Sequence, residues 1–297
     1  MKNVRLSQMS KEDRTKFNSK LIGILKKIME VCEENNIHWF VGYGACIGAI
    51  RHQGCIPWDD DIDICMPRPD YDRFVEICKK MDLGDYELAT PYDTPGYTAH
   101  SVRMYDKNTT MYFTTSSLHV AGIFIDIFPI DGASDGNIKS NFRRCHFWQA
   151  ISSCSRSYHS KRYLWSLIKK GNISRSSLII TTSLFRSPLR KLGLKMVEKT
   201  LRKYSYESSK YCLFYEYVYG IRNVIPKKWI EETVWVPFEN IQVRVPKYYN
   251  EYLTHIYGDY MTPPPDDKKD DRHIVKYLDF ERRLSREEIL AILSESE

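Results

Sequence analysis

Four carboxylates stand within five residues at Asp59-Asp60-Asp61-Ile62-Asp63, and their mutual repulsion is relieved most simply by a bound cation. On an extended strand, Asp61 and Asp63 project to one face with side chains roughly 7 Å apart, so they could share one Mg²⁺ or bridge two. Asp59 would join that face and Asp60 would point away. An acid-rich surface turn is the alternative, but Ile62 and Ile64 flank Asp63, and Cys65-Met66 follow. A further acid, Asp126, lies in Ile123-Phe124-Ile125-Asp126-Ile127-Phe128, where an uncompensated buried carboxylate is costly. It needs either the cation of Asp61 and Asp63 or a partner such as Arg103. Three carboxylates on two neighbouring strands could hold metal on phosphates and activate an attacking hydroxyl, which makes Asp61, Asp63 and Asp126 the candidate catalytic and metal-binding set.

The elements that must position these acids can be read from periodicity. Ser10 and Asp13 mark a helix start; Phe17, Leu21, Leu25, Ile28 and Cys32 then recur at spacings of three and four until Asn35-Asn36. Ile37 to Tyr43 reads as a buried strand turning sharply at Gly44, and a short helix is expected from Ala45 to His52. Backbone N–H groups at such a helix start can receive phosphate, so Gly44, Ala45 and Gly48 are candidate substrate contacts. Asp61 to Met66 reads as the acid-bearing strand, followed by a helix from Arg68-Pro69-Asp70 that buries Tyr71, Phe74, Val75 and Cys78. Further strands are expected at Tyr86 to Ala89, Ala99 to Tyr105 and Gly122 to Phe128, the last closed by Pro129 and Asp131-Gly132. Ser134 to Tyr211 is mostly helical in pattern, Tyr215 to Lys247 returns to strands, and Pro246 opens a helix from Tyr248 to Tyr257.

The whole is an α+β reading: a small mixed sheet with flanking helices, a largely helical middle and a C-terminal α/β return. Residues 1–133 form the expected catalytic core, 134–211 a helical basic segment, and 212–297 a part completing the catalytic domain. With 297 residues, 42% hydrophobic, the chain can bury a sizeable core. Its N-terminal residues lack the apolar run of a signal peptide and no run is long enough to span a bilayer, so a cytoplasmic location is expected. Eight cysteines without a CxxC pair read as reduced core thiols, with a zinc site built from distant cysteines and His52 as the alternative. From Arg156 to Lys203 there are 13 Lys and Arg against the single acid Glu198, a charge of +12 that leaves −6 for the rest of a chain whose total is +6. That segment is a solvated helical face, or a surface for anionic lipid or a phosphate-bearing acceptor.

The stretch Gly44 to Asp63, GACIGAIRHQGCIPWDDDID, resembles the signature of the LicD family of phosphotransferases, in which a Gly-rich turn and Arg-His precede Pro-Trp-Asp-Asp-Asp-Ile-Asp. Met66-Pro67-Arg68 and Asp70-Tyr71 continue the likeness, Ile125 to Asp131 resembles the family's third-acid strand, and Tyr257-Gly258-Asp259-Tyr260 with Pro263-Pro264 resembles its C-terminal signature. The resemblance implies a nucleotidyltransferase-like fold, Mg²⁺ or Mn²⁺, and a CDP-linked donor such as CDP-choline or a CDP-polyol. It also implies a hydroxyl of a cell-surface or capsular glycan, free or lipid-linked, as acceptor. The turn departs from the family at Ala45, where another small residue such as Gly, Ser or Thr is common.

Under that resemblance Asp61 and Asp63 hold metal on the donor diphosphate, and Asp126 completes a second metal position and assists loss of the acceptor proton. Arg51 either neutralises diphosphate charge or interacts with its helix dipole. His52 is the adjoining candidate. Trp58 and Tyr43 either stack on cytosine or a quaternary ammonium, or pack in the core. Tyr257, Tyr260 and His273 either close over the donor or anchor the last helix. Two other functions fit the same motifs: a nucleotidyltransferase that moves NMP and releases pyrophosphate, and a silent binding protein using Tyr158, Tyr163 and Trp165 on a nucleic acid or acidic glycan. Nucleic acid is not the expected partner, because three acids in apolar strands are a burden without metal.

Overall fold

Ser10 caps the first long element through its hydroxyl, which accepts the Asp13 N–H at 3.0 Å, and helix α1 runs Lys11–Glu34. Its buried stripe includes Phe17, Leu21, Leu25, Ile28 and Cys32, the residues whose spacing predicts it. The computed structural model describes residues 1–5, 8–59, 61–97, 99–113, 119–134, 138–156, 186–214, 220–265 and 274–295, with Ile168, Lys169, Gly171, Ser177 and Lys269. Asp60, His273, Tyr158, Tyr163, Trp165 and much of the basic segment lie outside the described residues.

The central sheet is mixed. Strands β2 (Phe40–Val41), β3 (Asp63–Pro67), β4 (Tyr86–Ala89), β5 (Val102–Asp106) and β7 (Phe124–Ala133) lie in the order β2-β3-β7-β5-β4. The far half of β7 also pairs with β8 (Tyr211–Phe214), which pairs with β9 (Val224–Pro226). Only β3 and β7 run parallel. Helix α1 packs on β5 and β7, and α3 (Arg68–Lys80) on β3 and β7, which buries Ile24, Ile28 and Phe74. Each such side chain contributes about 1.5–3 kcal/mol through removal from water. A second sheet joins the chain ends: β1 (Lys2–Arg5) pairs with β12 (Ile274–Asp279), which pairs with β6 (Thr110–Tyr112). Strands β10 (Thr233–Phe238) and β11 (Ile241–Pro246) form a hairpin. Helices α4 (Ile138–Arg156) and α5 (Arg186–Leu201) pack on each other, α6 is Tyr249–Tyr257, and α7 (Arg286–Ser294) carries a Ser285/Glu288 capping box. The fold is α+β, with no closed barrel among the described residues.

Several boundaries differ from the sequence expectation. The strand expected over Ile37 to Tyr43 is two residues long, because Tyr43 already begins α2 (Tyr43–Ile47), which tightens into a π-helical turn at Gly48–His52. The acid strand starts at Asp63, not Asp61, so Asp61 precedes it and Asp59 lies in the loop rather than on a shared strand face. The strand expected from Ala99 starts at Val102. Strand β7 does not end at Pro129 and Asp131-Gly132: β5 pairs with residues 124–127 and β8 with 130–133. Pro129 falls between those two partners, where its missing N–H breaks no ladder on that flank.

Candidate functional site

Parallel pairing of β3 with β7 sets Asp63 directly opposite Asp126, and the Asp126 N–H donates to the Ile62 carbonyl at 3.2 Å. Asp61 arrives from the loop just before β3. One carboxylate oxygen from each of Asp61, Asp63 and Asp126 lies within 4.8 Å of the others, the one such group of three among the described residues. Asp126 is 5% exposed, whereas Asp61 and Asp63 are half-buried, so the set opens to solvent from one side. The donors are all carboxylate oxygens, which suits a hard divalent cation such as Mg²⁺ or Mn²⁺.

Asp126 has a second set of partners. Arg103 donates from Nε to Oδ1 at 2.8 Å and from its terminal nitrogen to Oδ2 at 3.1 Å, and the Ser101 hydroxyl donates to Oδ1. Burial works against the Arg103 charge, but Asp126 outweighs it and holds the guanidinium above its ordinary pKa. Arg103 also lies 3.8 Å from the Phe124 ring centroid. The expected arginine pairing of Asp126 and its convergence with Asp61 and Asp63 therefore occur together rather than as alternatives. A carboxylate has about four lone-pair positions, and three are taken by these donors, which leaves one on Oδ2.

The loop between the π-helical turn and β3 is held from distant parts of the chain. Arg14 donates to the Asp59 carbonyl at 2.7 Å; Glu239, in the β10–β11 turn, accepts the Cys55 N–H at 3.0 Å and donates its own N–H to Gln53 at 2.7 Å. Tyr252 of α6 accepts the Tyr43 N–H at 3.1 Å, and so caps α2 where Gly42 has no side chain to do it. Arg14, Ser101, Glu239 and Tyr252 carry no local sequence signal for these jobs. Gly44 leaves room for Asp59: a Cβ there would stand 2.5 Å from Asp59 Oδ2. A Cβ on Gly48 would stand 2.5 Å from the Gly54 carbonyl. Both glycines thus meet the acidic loop. Ala45 is buried in α2.

Arg51, His52 and Trp58 form a separate cluster. Arg51 donates to the Tyr260 carbonyl at 2.5 Å and from Nε to His52 Nε2 at 2.9 Å. Burial and Arg51 lower the His52 pKa, and the accepted hydrogen bond fits a neutral ring protonated at Nδ1. Trp58 has Arg51 5.8 Å and Lys269 4.7 Å from its ring centroid, with His52 edge-on at 5.7 Å. Tyr43 is buried at φ +44°, edge-on to Phe128 and Phe214. Tyr260 is buried and anchors Arg51, while Tyr257 packs against the core. Burial pushes the Cys55, Cys78 and Cys145 thiols up to about 12, and no cysteine cluster with metal-ligand geometry occurs among the described residues.

A mixed sheet with three carboxylates converging from a parallel strand pair and its entry loop defines a nucleotidyltransferase-like domain. The family model described as LicD/FKTN/FKRP, nucleotidyltransferase domain, matches residues 36–164, a span that begins before β2 and includes all three acids. Residues 36–164 thus carry a nucleotidyltransferase domain of the LicD family, and the similarity beyond that span supports a phosphotransferase of this family. It is 28% identical over 260 residues to the lipopolysaccharide cholinephosphotransferase LicD of Haemophilus influenzae, covering 85% of this chain and 93% of that protein. An uncharacterized protein of Rickettsia typhi is 40% identical over 68 residues, 23% of this chain and 22% of that protein. One of Rickettsia prowazekii is 34% identical over 82 residues, 21% of this chain and 31% of that protein.

Proposed function

We propose that this protein transfers phosphocholine, or a similar phosphate-linked head group, from a CDP-linked donor to a sugar hydroxyl of a surface glycan of the lipopolysaccharide type, with Mg²⁺ or Mn²⁺ bound by Asp61, Asp63 and Asp126. The observation that carries the reading is the meeting of those three carboxylates within 4.8 Å. The similarity to the Haemophilus cholinephosphotransferase over 85% of this chain supports the head group and the acceptor class. The reaction is assigned to the cytoplasm, and no described helix is long and apolar enough to cross a membrane.

The divalent cation, when bound, supplies charge neutralisation on the donor phosphates and polarises the phosphorus under attack. Asp61 and Asp63, both half-buried, would hold it through their carboxylate oxygens. Arg103 and Ser101 hold Asp126 in one orientation, with a single lone pair free on Oδ2. These donors fix where the Asp126 carboxylate can point, so its role is to position. Gly44 and Ala45 lie in the first turn of α2 and Gly48 at its C-terminal end, and Arg51, His52 and Trp58 with Lys269 offer cationic and aromatic surface for an anionic donor.

Calorimetric titration with CDP-choline, CDP-ethanolamine, CDP-glycerol and CDP-ribitol, with Mg²⁺ or Mn²⁺ and then with EDTA, tests this reading on the wild type and Asp63→Ala. One donor should bind with metal and be lost with EDTA or in the variant, and turnover should release CMP. Release of pyrophosphate would instead make the protein a nucleotidyltransferase, and no binding of any of these donors, with or without metal, would overturn the transfer reading.

A further inference from the structure

We propose that the outward face of the α4–α5 helical pair is a docking surface for an anionic lipid bilayer. Helix α4 turns Phe142 and Cys145 inward, and Lys139, Arg143 and Phe147 outward at spacings of four. Helix α5 buries Leu194, Val197 and Leu201 and exposes Lys191, Leu192 and Lys195. Neither outward face carries a carboxylate. Helix α4 contains none, and Glu198, the single acid of α5, is turned in to Arg202 at 2.7 Å and Arg68 at 3.5 Å.

The apolar residues on this face decide between anionic partners. Phe147 is 59% exposed, more than any other large hydrophobic among the described residues, and Leu192 is 44% exposed among lysines. A polyanion such as nucleic acid would be held by the cations and gains nothing from Leu192, which cannot stack on a base. A bilayer uses both kinds of group, with lysines on phosphate head groups and Phe147 and Leu192 at the acyl boundary.

The surface is tied to the acid site. Arg202, just past α5, pairs with Asp72 of α3 at 2.5 and 2.7 Å. Arg190 of α5 donates to the Tyr97 carbonyl, the Tyr97 hydroxyl donates to the Ser101 carbonyl at 2.7 Å, and the Ser101 hydroxyl donates to Asp126. Docking would thus fix the orientation of the acid site above the membrane. The inference does not rest on which head group the protein transfers, or on its transferring one.

Sedimentation of the full chain with vesicles of phosphatidylcholine alone, and of phosphatidylcholine with phosphatidylglycerol, tests the surface without donor or acceptor. Binding should occur only to the anionic vesicles, and Lys191→Gln and Lys195→Gln should each weaken it about fivefold. Phe147→Ser with Leu192→Ser should weaken it by a further factor of about five or more while the salt dependence stays the same. All four positions are exposed, and thermal melting checks that the variants fold. Absence of binding to anionic vesicles, equal binding to neutral ones, or binding that ignores these substitutions overturns the proposal. So does duplex DNA binding tighter than vesicles and untouched by the serine variants.

Discussion

Strand β7 carries two aspartates five residues apart, each held by an arginine through two hydrogen bonds, and the two pairs have different uses. Asp131 is 1% exposed and accepts from Arg68 at 2.7 and 2.6 Å; Arg68, itself 6% exposed, also reaches Glu198 of α5. Burial works against the Arg68 charge, yet Asp131 and Glu198 hold its pKa above the ordinary value. That pair is sealed between β7, α3 and α5, and its bonds are internal. Asp126 is gripped in the same way by Arg103, but Asp61 and Asp63 approach from its other side. A buried acid in an apolar strand therefore does not by itself mark a reactive site. What separates the two is the convergence of further carboxylates on one of them.

The largest expected difference is between Asp63→Asn and Asp131→Asn. The first removes a charge from the converging set, and transfer should fall by about a thousandfold or more, at least ~4 kcal/mol of activation free energy, with the melting temperature little changed. The second leaves the buried Arg68 charge with only the longer contacts to Glu198 and Asp72, at 3.5 and 3.9 Å, and stability should fall by ~3 kcal/mol, with activity per folded molecule retained. Urea unfolding beside initial rates on both variants checks this, and loss of activity without loss of stability in Asp131→Asn would erase the distinction. A finer test is Arg103→Lys, which keeps the charge and loses the paired donors. Activity and Mn²⁺ affinity should drop roughly 10- to 100-fold, the size expected when a ligand loses its orienting partner. The same substitution at Arg68 should act on unfolding and leave Mn²⁺ affinity alone.

Local chemistry made much of this arrangement legible. The Ser10 cap, the α1 stripe, the Tyr86–Ala89 strand and the α6 helix follow from residue type and spacing, and so did the three acids. The errors fall where partners far along the chain decide the outcome. Pro129 and Asp131-Gly132 look like a strand end, yet β7 continues because β8, nearly eighty residues on, supplies a new neighbour. Asp61 precedes its strand because the loop carrying Asp59 is fixed by Arg14 and Glu239. The β1–β12 pairing joins the two ends of the chain, and neither strand shows a period that would announce the other. Asp131 looks like part of a motif in the sequence, and nothing in its neighbourhood names Arg68 as the partner of a buried ion pair.

His119 sharpens the contrast at the Arg103 end of the strand by a smaller effect. Its ring lies 5.6 Å from Tyr97 and 5.7 Å from Tyr105, and burial, with Arg283 and Arg103 nearby, lowers its pKa to about 4 from an ordinary 6.5. The folded state thus favours the neutral ring. The stability linked to His119 is fully present above pH 6.5, and is lost as pH falls from 6.5 towards about 4, because the unfolded chain takes up the proton first. Since the ring is partly exposed, solvent screening limits the loss to ~1 kcal/mol. Urea midpoints measured across that interval should therefore fall more steeply for the wild type than for His119→Gln, which has no ring to charge. Parallel slopes would mean that burial and the neighbouring Arg283 and Arg103 do not hold the imidazole neutral.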